Sequence, residues 1–240
     1  MVGNVLIKEP PGGMGRSALI VGDPHRVELL STLLEEPVVK TGVRGYVYAI
    51  GKYRGERISI VTHGIGAPSA SIVVEELHRL GVNVVVRLGT AGSIQHEIRV
   101  GDVILASTAL CRIGGCATSM YMRDLTPPAS PHPVLAARII DALKGSGVKT
   151  WVAPVFTSDA LHAETEGLIE ELRGYGVAAV DMETAILYTL SWLRKLHAAS
   201  VLIVSNNLVQ GDQSILGTEE LGEAFKKVAK VILEVLHDYS

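Results

Sequence analysis

Hydrophobic positions along this chain follow two periods. Short β-branched runs at residues 17–21, 58–62, 83–86, 103–107, 148–156, 176–180 and 198–204 predict buried strands. Residues 43–50 and 56–62 alternate as an antiparallel pair would, with 51–55 as the hairpin tip. Between strands the period becomes helical. Asp23 and Pro24 suit the cap and first turn of a helix whose buried face is Val27, Leu30 and Leu34. Pro68 and Ser69 open a second, with Ile72, Val73, Leu77 and Leu80 on one face. Further helices are predicted over 134–143, up to Arg173, over 183–196 and from Thr218. In the last, Leu221, Phe225, Val228, Ile232, Val235 and Tyr239 form a stripe stepping by four and three.

Strand, helix and strand in succession predict right-handed βαβ units, and ligands of open α/β sheets lie beyond the carboxyl ends of the strands. Polar residues gather at those ends. Gly22 and Arg26 follow the first strand, and Arg87 and Thr90 follow 83–86 in a Gly-Thr-Ala-Gly-Ser segment that reads as a turn. Asp159 with His162, Asp181 with Glu183, and Ser205 with Asn206 follow three more. Two arginines, a hydroxyl and glycine amides suit an oxyanion, and the helix starting at Pro24 offers free amides to it. Glu183 suits sugar hydroxyls. Taken singly, each has a plainer reading: Arg26 a solvated helix arginine, Arg87 a structural ion pair, Glu183 a helix N-terminal charge, Asn206 a turn residue. Their common position points to a site. Residues 111–132 form a long irregular segment, of a length that usually serves a function.

Composition narrows the class. With 240 residues, 48% hydrophobic side chains and mean hydropathy +0.31, the chain fits one α/β domain over 1–240, without repeat or linker. A net charge of −3 implies no basic surface for nucleic acid. No apolar run approaches the roughly 18 residues of a membrane helix, and the N-terminus has no signal-peptide pattern, so a cytoplasmic protein is expected. Cys111 and Cys116 show no zinc spacing and are expected as free thiols rather than a bridge. The histidines show no metal pattern. Gly64-Ile-Gly66-Ala-Pro-Ser69 lacks the third glycine of the dinucleotide fingerprint, the next strand ends in Arg87 rather than an acid, and there is no P-loop lysine motif.

The segment from Thr62 to Leu77 (Thr-His-Gly-Ile-Gly-Ala-Pro-Ser-Ala-Ser-Ile-Val-Val-Glu-Glu-Leu) resembles the signature of the purine nucleoside/uridine phosphorylase family. Gly22-Asp-Pro-His-Arg26, Val43-Arg-Gly45, Arg87-Leu-Gly-Thr-Ala-Gly92, Val180-Asp-Met-Glu183 and Ser205-Asn206 follow in the family's order. The resemblance implies a three-layer α/β/α sandwich around a mixed, partly barrel-like sheet, assembled as a hexamer of paired subunits. It implies phosphate as co-substrate, no cofactor, and phosphate held by Gly22, Arg26, Arg87 and Thr90, with Arg44 reaching in from the neighbouring subunit. Met182, Glu183 and His63 would contact the ribose. Ala91, Gly92, Leu161, Val180 and Asn206 would surround the base. Glycosidic cleavage develops positive charge on the sugar, which a phosphate beneath the ring would stabilise and then attack, while Glu183 orients the sugar.

Three departures bear on specificity. Asn206 stands where purine enzymes of this kind commonly carry an aspartate. An amide donates a hydrogen bond but delivers no proton, which favours guanosine or inosine over adenosine, although Asn also pairs with the adenine N6/N7 edge. The family's aromatic pair is Leu161-His162 here, so stacking would fall to the 111–132 segment. The N-terminal histidine expected near Val5 or Leu6 is absent, which leaves the 5′ substituent, a methylthio group included, open. The rival readings are a uridine phosphorylase, a methylthioadenosine phosphorylase, a nucleosidase using water, and a nucleoside-binding protein without chemistry.

Overall fold

The structure is a computed structural model and describes residues 3–209 and 216–239. Nine strands share one sheet: β1 (Ser17–Val21), β2 (Glu35–Thr41), β3 (Val47–Tyr53), β4 (Glu56–Thr62), β5 (Val84–Ser93), β6 (Val103–Leu110), β7 (Thr150–Thr157), β8 (Ala179–Asp181) and β9 (His197–Asn207). The helices are α1 (Pro24–Ser31), α2 (Ala67–Arg79), the single turn α3 (Thr118–Tyr121), α4 (Pro133–Gly145), α5 (Glu166–Gly174), α6 (Thr184–Arg194) and α7 (Thr218–Tyr239).

Strand order is β2-β3-β4-β1-β5-β8-β7-β6-β9, and β9 pairs back onto β5. That last pairing closes β5, β8, β7, β6 and β9 into a ring, so the mixed sheet is part open and part barrel, the fold the resemblance implied. Closure removes two strand edges that would otherwise expose unpaired backbone groups. Helices cover the sheet on both sides. α2 and α6 pack with Ile20, Val61, Val85 and Leu202 in one core layer, and α1, α4 and α7 pack with Leu19, Ile60, Val86 and Ile203 in the other. Neighbouring strand residues point to opposite faces, which is why these strands are apolar at consecutive positions.

Four expectations are corrected. The Gly-Thr-Ala-Gly-Ser segment after Arg87 is no turn: β5 runs straight through Ser93, held by β9 along its whole length. Ser205-Asn-Asn207 likewise belongs to β9 rather than following it. Residues 43–45 form a short helical turn, so the hairpin strand starts at Val47, and its tip is Arg54-Gly55, both at positive φ (53° and 86°). The first helix stops at Ser31, short of Leu34, which is buried beyond it. Strand β2 had no counterpart in the hydrophobic pattern. Both cysteines are free.

Candidate functional site

The strand ends converge on a cavity of about 730 Å³. Its wall includes Gly22, Arg26, Arg87, Thr90, Ala91, Gly92, Leu161, Val180, Met182, Glu183 and Asn206. Two of the expected residues stand apart from it. Arg44 is exposed on the turn before β3. His63 is fully buried and sits behind Arg87 rather than on the wall, which removes it from direct contact with a ribose.

Arg87 is the hub. Its side chain lies across Gly89, where any Cβ would come within 2.7 Å of the guanidinium carbon. Strand residues two apart share a face, so only a glycine there lets the arginine fold over its own strand. Its Nη2 donates to Glu183 Oε2, its Nη1 to Asp181 Oδ2 (3.0 Å) and Ser200 Oγ (3.3 Å), and its Nε to His63 Nε2 (3.3 Å). Accepting that bond from a cation requires a neutral imidazole at Nε2. Burial first, and the Arg87 charge second, lower the His63 pKa to about 3. The plain structural reading of Arg87, an ion pair, thus holds, with both carboxylates and the guanidinium out of solvent.

The carboxylates are themselves fixed. Gly66 N donates to Glu183 Oε1 (2.7 Å) from the loop leading into α2, where Gly64 and Gly66 take φ of 71° and 85°. Asp181, placed by the sequence only as a strand-end acid, caps α6: its Oδ2 accepts from Thr184 N (2.9 Å), Thr184 Oγ1 (2.6 Å) and Glu183 N (3.2 Å). Its Oδ1 accepts from Thr157 Oγ1 (2.7 Å) on β7. A buried carboxylate bonded this often is held in one orientation. Glu183, at the N-cap position, makes no capping bond with its side chain, which leaves it for the cavity.

Arg26 reaches the same cavity from the first turn of α1, which Asp23 caps by accepting from His25 N (2.9 Å). Its guanidinium rests on the Phe225 ring of α7 at 4.0 Å, a cation–π contact. Burial lowers the Arg26 pKa most, Asp23 opposes this, and the Arg87 charge adds to the lowering. Arg26 thus presents a cation to the space, whereas the charge of Arg87 is paired with Asp181 and Glu183.

The far end is built differently. The β5–β9 ladder shifts register between Ala91 and Gly92, which pair with Val204 and Asn206, so Ser205 is an extra residue on β9. Such bulges re-aim side chains, and here consecutive residues Ser205 and Asn206 both line the cavity. Ser205 Oγ donates to Asn206 Oδ1 (3.1 Å). Gly92 faces this pair: a Cβ there would lie 3.3 Å from Asn206 Oδ1 and 3.2 Å from Leu208 Cδ1. Leu161, Ile65 and Leu208 supply apolar wall, Leu161 and Ile65 being largely exposed. No residue of 111–132 lines the cavity, so that segment provides no stacking surface. Asp159 anchors it instead, accepting from Cys116 N (2.7 Å), and neither Asp159 nor His162 joins the wall. The sequence reading missed Glu164, which does line it.

A sequence profile of the phosphorylase superfamily matches residues 16–239. The chain belongs to that superfamily. Its relatives include proteins named purine nucleoside phosphorylase DeoD-type from Bacillus cytotoxicus, Bacillus cereus and Bacillus thuringiensis, each 35% identical over 238 residues, covering 96% of this chain and 97% of theirs. Superfamily membership thus spans both ends of the cavity, from Gly22 to α7. Among the described residues no helix is long and apolar enough to cross a membrane, and no group of three or more metal-ligating side chains occurs.

Proposed function

We propose that this chain is a purine nucleoside phosphorylase, cleaving the N-glycosidic bond with inorganic phosphate to give free base and ribose 1-phosphate. The observation that carries the reading is one cavity with Arg26 and Thr90 beside a rigid Arg87–Glu183 pair at one end and an apolar wall with Asn206 at the other. The names of its relatives support it.

In this reading phosphate lies over Gly22, Arg26 and Thr90, with Arg87 adding its field from behind. Arg87 already serves two carboxylates, so Arg26 is the principal cation of this subunit. Arg44, exposed and outside the wall, completes the site from a neighbouring subunit, which makes a homo-oligomer, a hexamer of paired subunits, the working form. Glu183 and Met182 hold the ribose, and His63 holds Arg87 rather than sugar. The sugar gains carbocation character as the bond breaks, and the phosphate oxygens stabilise it before attacking the anomeric carbon. The base lies against Ala91, Gly92, Leu161 and Val180. Its leaving electrons settle on the N7/O6 edge, where the Asn206 NH₂ donates a hydrogen bond. A 6-oxopurine spreads that charge onto O6, so guanosine and inosine are preferred to adenosine. No cofactor takes part, and the cytoplasm is the place of action.

The test is release of base from guanosine, inosine, adenosine, methylthioadenosine and uridine, each with and without phosphate. Phosphate-dependent cleavage favouring the 6-oxopurines is the expected result. Cleavage independent of phosphate would make the chain a nucleosidase, and cleavage confined to uridine or methylthioadenosine would reassign the base or 5′ pocket.

A further inference from the structure

Residues 111–132 line no part of the cavity, yet their first turn brings the two cysteines of the chain together. Cys111 is half-buried and is followed by Arg112, Ile113 and Gly114, all exposed, whereas Cys116 is fully buried. A turn closed by Gly115 N donating to Arg112 O (2.8 Å), with Gly114 at φ 82°, folds the chain back between them. Gly115 is needed at this place. A Cβ there would meet Asp159 Oδ2 at 2.8 Å, and that oxygen accepts from Cys116 N (2.7 Å). Cys111 Sγ consequently lies 3.7 Å from Gly115 O and 3.9 Å from Thr118 Oγ1, and it shares a hydrogen bond with the Cys116 thiol. Cys116 Sγ is also 3.2 Å from Thr157 O on β7, which holds it from below. The turn thus sets an accessible sulfur beside a sealed one.

We propose that Cys111 and Cys116 form a modification site, a thiol pair that a hydroperoxide converts reversibly to a disulfide within the chain. The hydrogen bond from Cys116 lowers the Cys111 pKa most; burial opposes it, the Thr118 hydroxyl adds to the lowering, and the Asp159 charge opposes it. A lowered pKa favours the thiolate, which is the nucleophilic form. The Cys111 sulfur attacks one peroxide oxygen. An S–O bond forms as the O–O bond breaks, the second oxygen leaves as hydroxide, and Cys111 becomes a sulfenic acid. Cys116 remains a thiol during this step, its pKa raised by the same hydrogen bond, by burial and by the negative charge of Cys111. The sulfenic acid is neutral, which removes the last of these influences. The Cys116 sulfur then attacks the Cys111 sulfur, the S–S bond forms as the S–O bond breaks, and the hydroxyl departs as water with the Cys116 proton. Two electrons pass from the thiol pair to the peroxide. A dithiol reductant restores both cysteines by exchange, and transient bridges of this kind are the ones a reducing compartment permits.

Intact-mass measurement and thiol counting on the full chain, reduced and then treated with hydrogen peroxide, test this directly. The expected result is loss of both thiols with a mass lower by two hydrogens, a digest peptide linking Cys111 to Cys116, and return of both thiols with dithiothreitol. This measurement needs no variant and decides the proposal by itself. Cys116→Ala should stop at the Cys111 sulfenic acid, trapped with dimedone, and Cys111→Ser should leave Cys116 unreacted. Without the Cys116 hydrogen bond, alkylation of Cys111 by iodoacetamide in Cys116→Ala should also move its midpoint to higher pH. Both thiols surviving peroxide in the wild type would overturn the proposal. So would Cys111 passing to sulfinic acid while Cys116 stays free, or a bridge formed only between separate chains.

Discussion

Around Arg87 the cavity wall is held by charge against charge, every oxygen of Asp181 and Glu183 bonded and the whole cluster out of solvent. Across the cavity, Leu161 is exposed, Asn206 accepts from Ser205, and one oxygen of Glu164 has no partner among the described residues. The first region is preorganised and intolerant of change. The second is adaptable, since its groups complete their bonding with whatever enters. Chemistry common to a family belongs in the first kind of surroundings, because transition-state stabilisation needs donors and charges that do not reorganise. Choice among similar bases belongs in the second.

The contrast breaks most visibly at Arg87. Arg87→Ala leaves two buried carboxylates without their cation, and should cost about 3–5 kcal/mol of stability as well as phosphate-dependent turnover. Arg26→Ala, which loses the contact with Phe225 and the attraction of Asp23, should lose about 1 kcal/mol or less while raising the phosphate KM. Denaturant midpoints and phosphate kinetics of both variants check this, and equal stability losses would erase the distinction between the arginines.

His63 gives the next effect. Its folded pKa of about 3 lies below the ordinary value of 6.5, so between these the unfolded chain binds more protons. Its contribution is complete above pH 6.5 and is lost as pH falls toward 3. The full effect is on the order of 5 kcal/mol. His63→Gln should flatten the stability profile in that window, and a slope as steep as wild type would place the acid sensitivity elsewhere. The smallest effect is at the adaptable end. Asn206→Asp should raise adenosine cleavage relative to guanosine by roughly 10-fold, the scale of one supplied proton or charged bond, with the unfolding midpoint scarcely moved. An unchanged ratio would pass base choice to other residues.

What was legible in the sequence divides along similar lines. Helix α7 and the central strands were readable because burial imposes a period on them. Strand β2 was not, since its residues are almost all exposed and it carries Pro37 at an edge that only β3 covers, so no apolar alternation was required of it. Glycines misled at Gly89 and Gly92. They read as a turn, yet they sit in an extended strand because Arg87 and Asn206 occupy the space a Cβ would take. That reason lies in side chains brought there by folding. Most of the expected wall residues can be placed from motif positions, whereas His63, given to the sugar by the resemblance, lies buried behind Arg87. Glu164 carried no local signal: an acid near the start of a helix is ordinary, and only the burial of one oxygen sets it apart.

The ring formed by β5, β8, β7, β6 and β9 acts on the site as a hoop does on staves. Thr90, Ala91, Gly92, Val180 and Asn206 are set in strands that cannot splay, because none of these strands can drift without breaking a ladder on its other side. The ring is therefore a poor gate. The rest of the wall includes Gly64, Ile65, Leu161 and Glu164, which belong to no strand. The loop through Gly66 in turn grips Glu183, so hoop and loop together fix the polar end of the chamber.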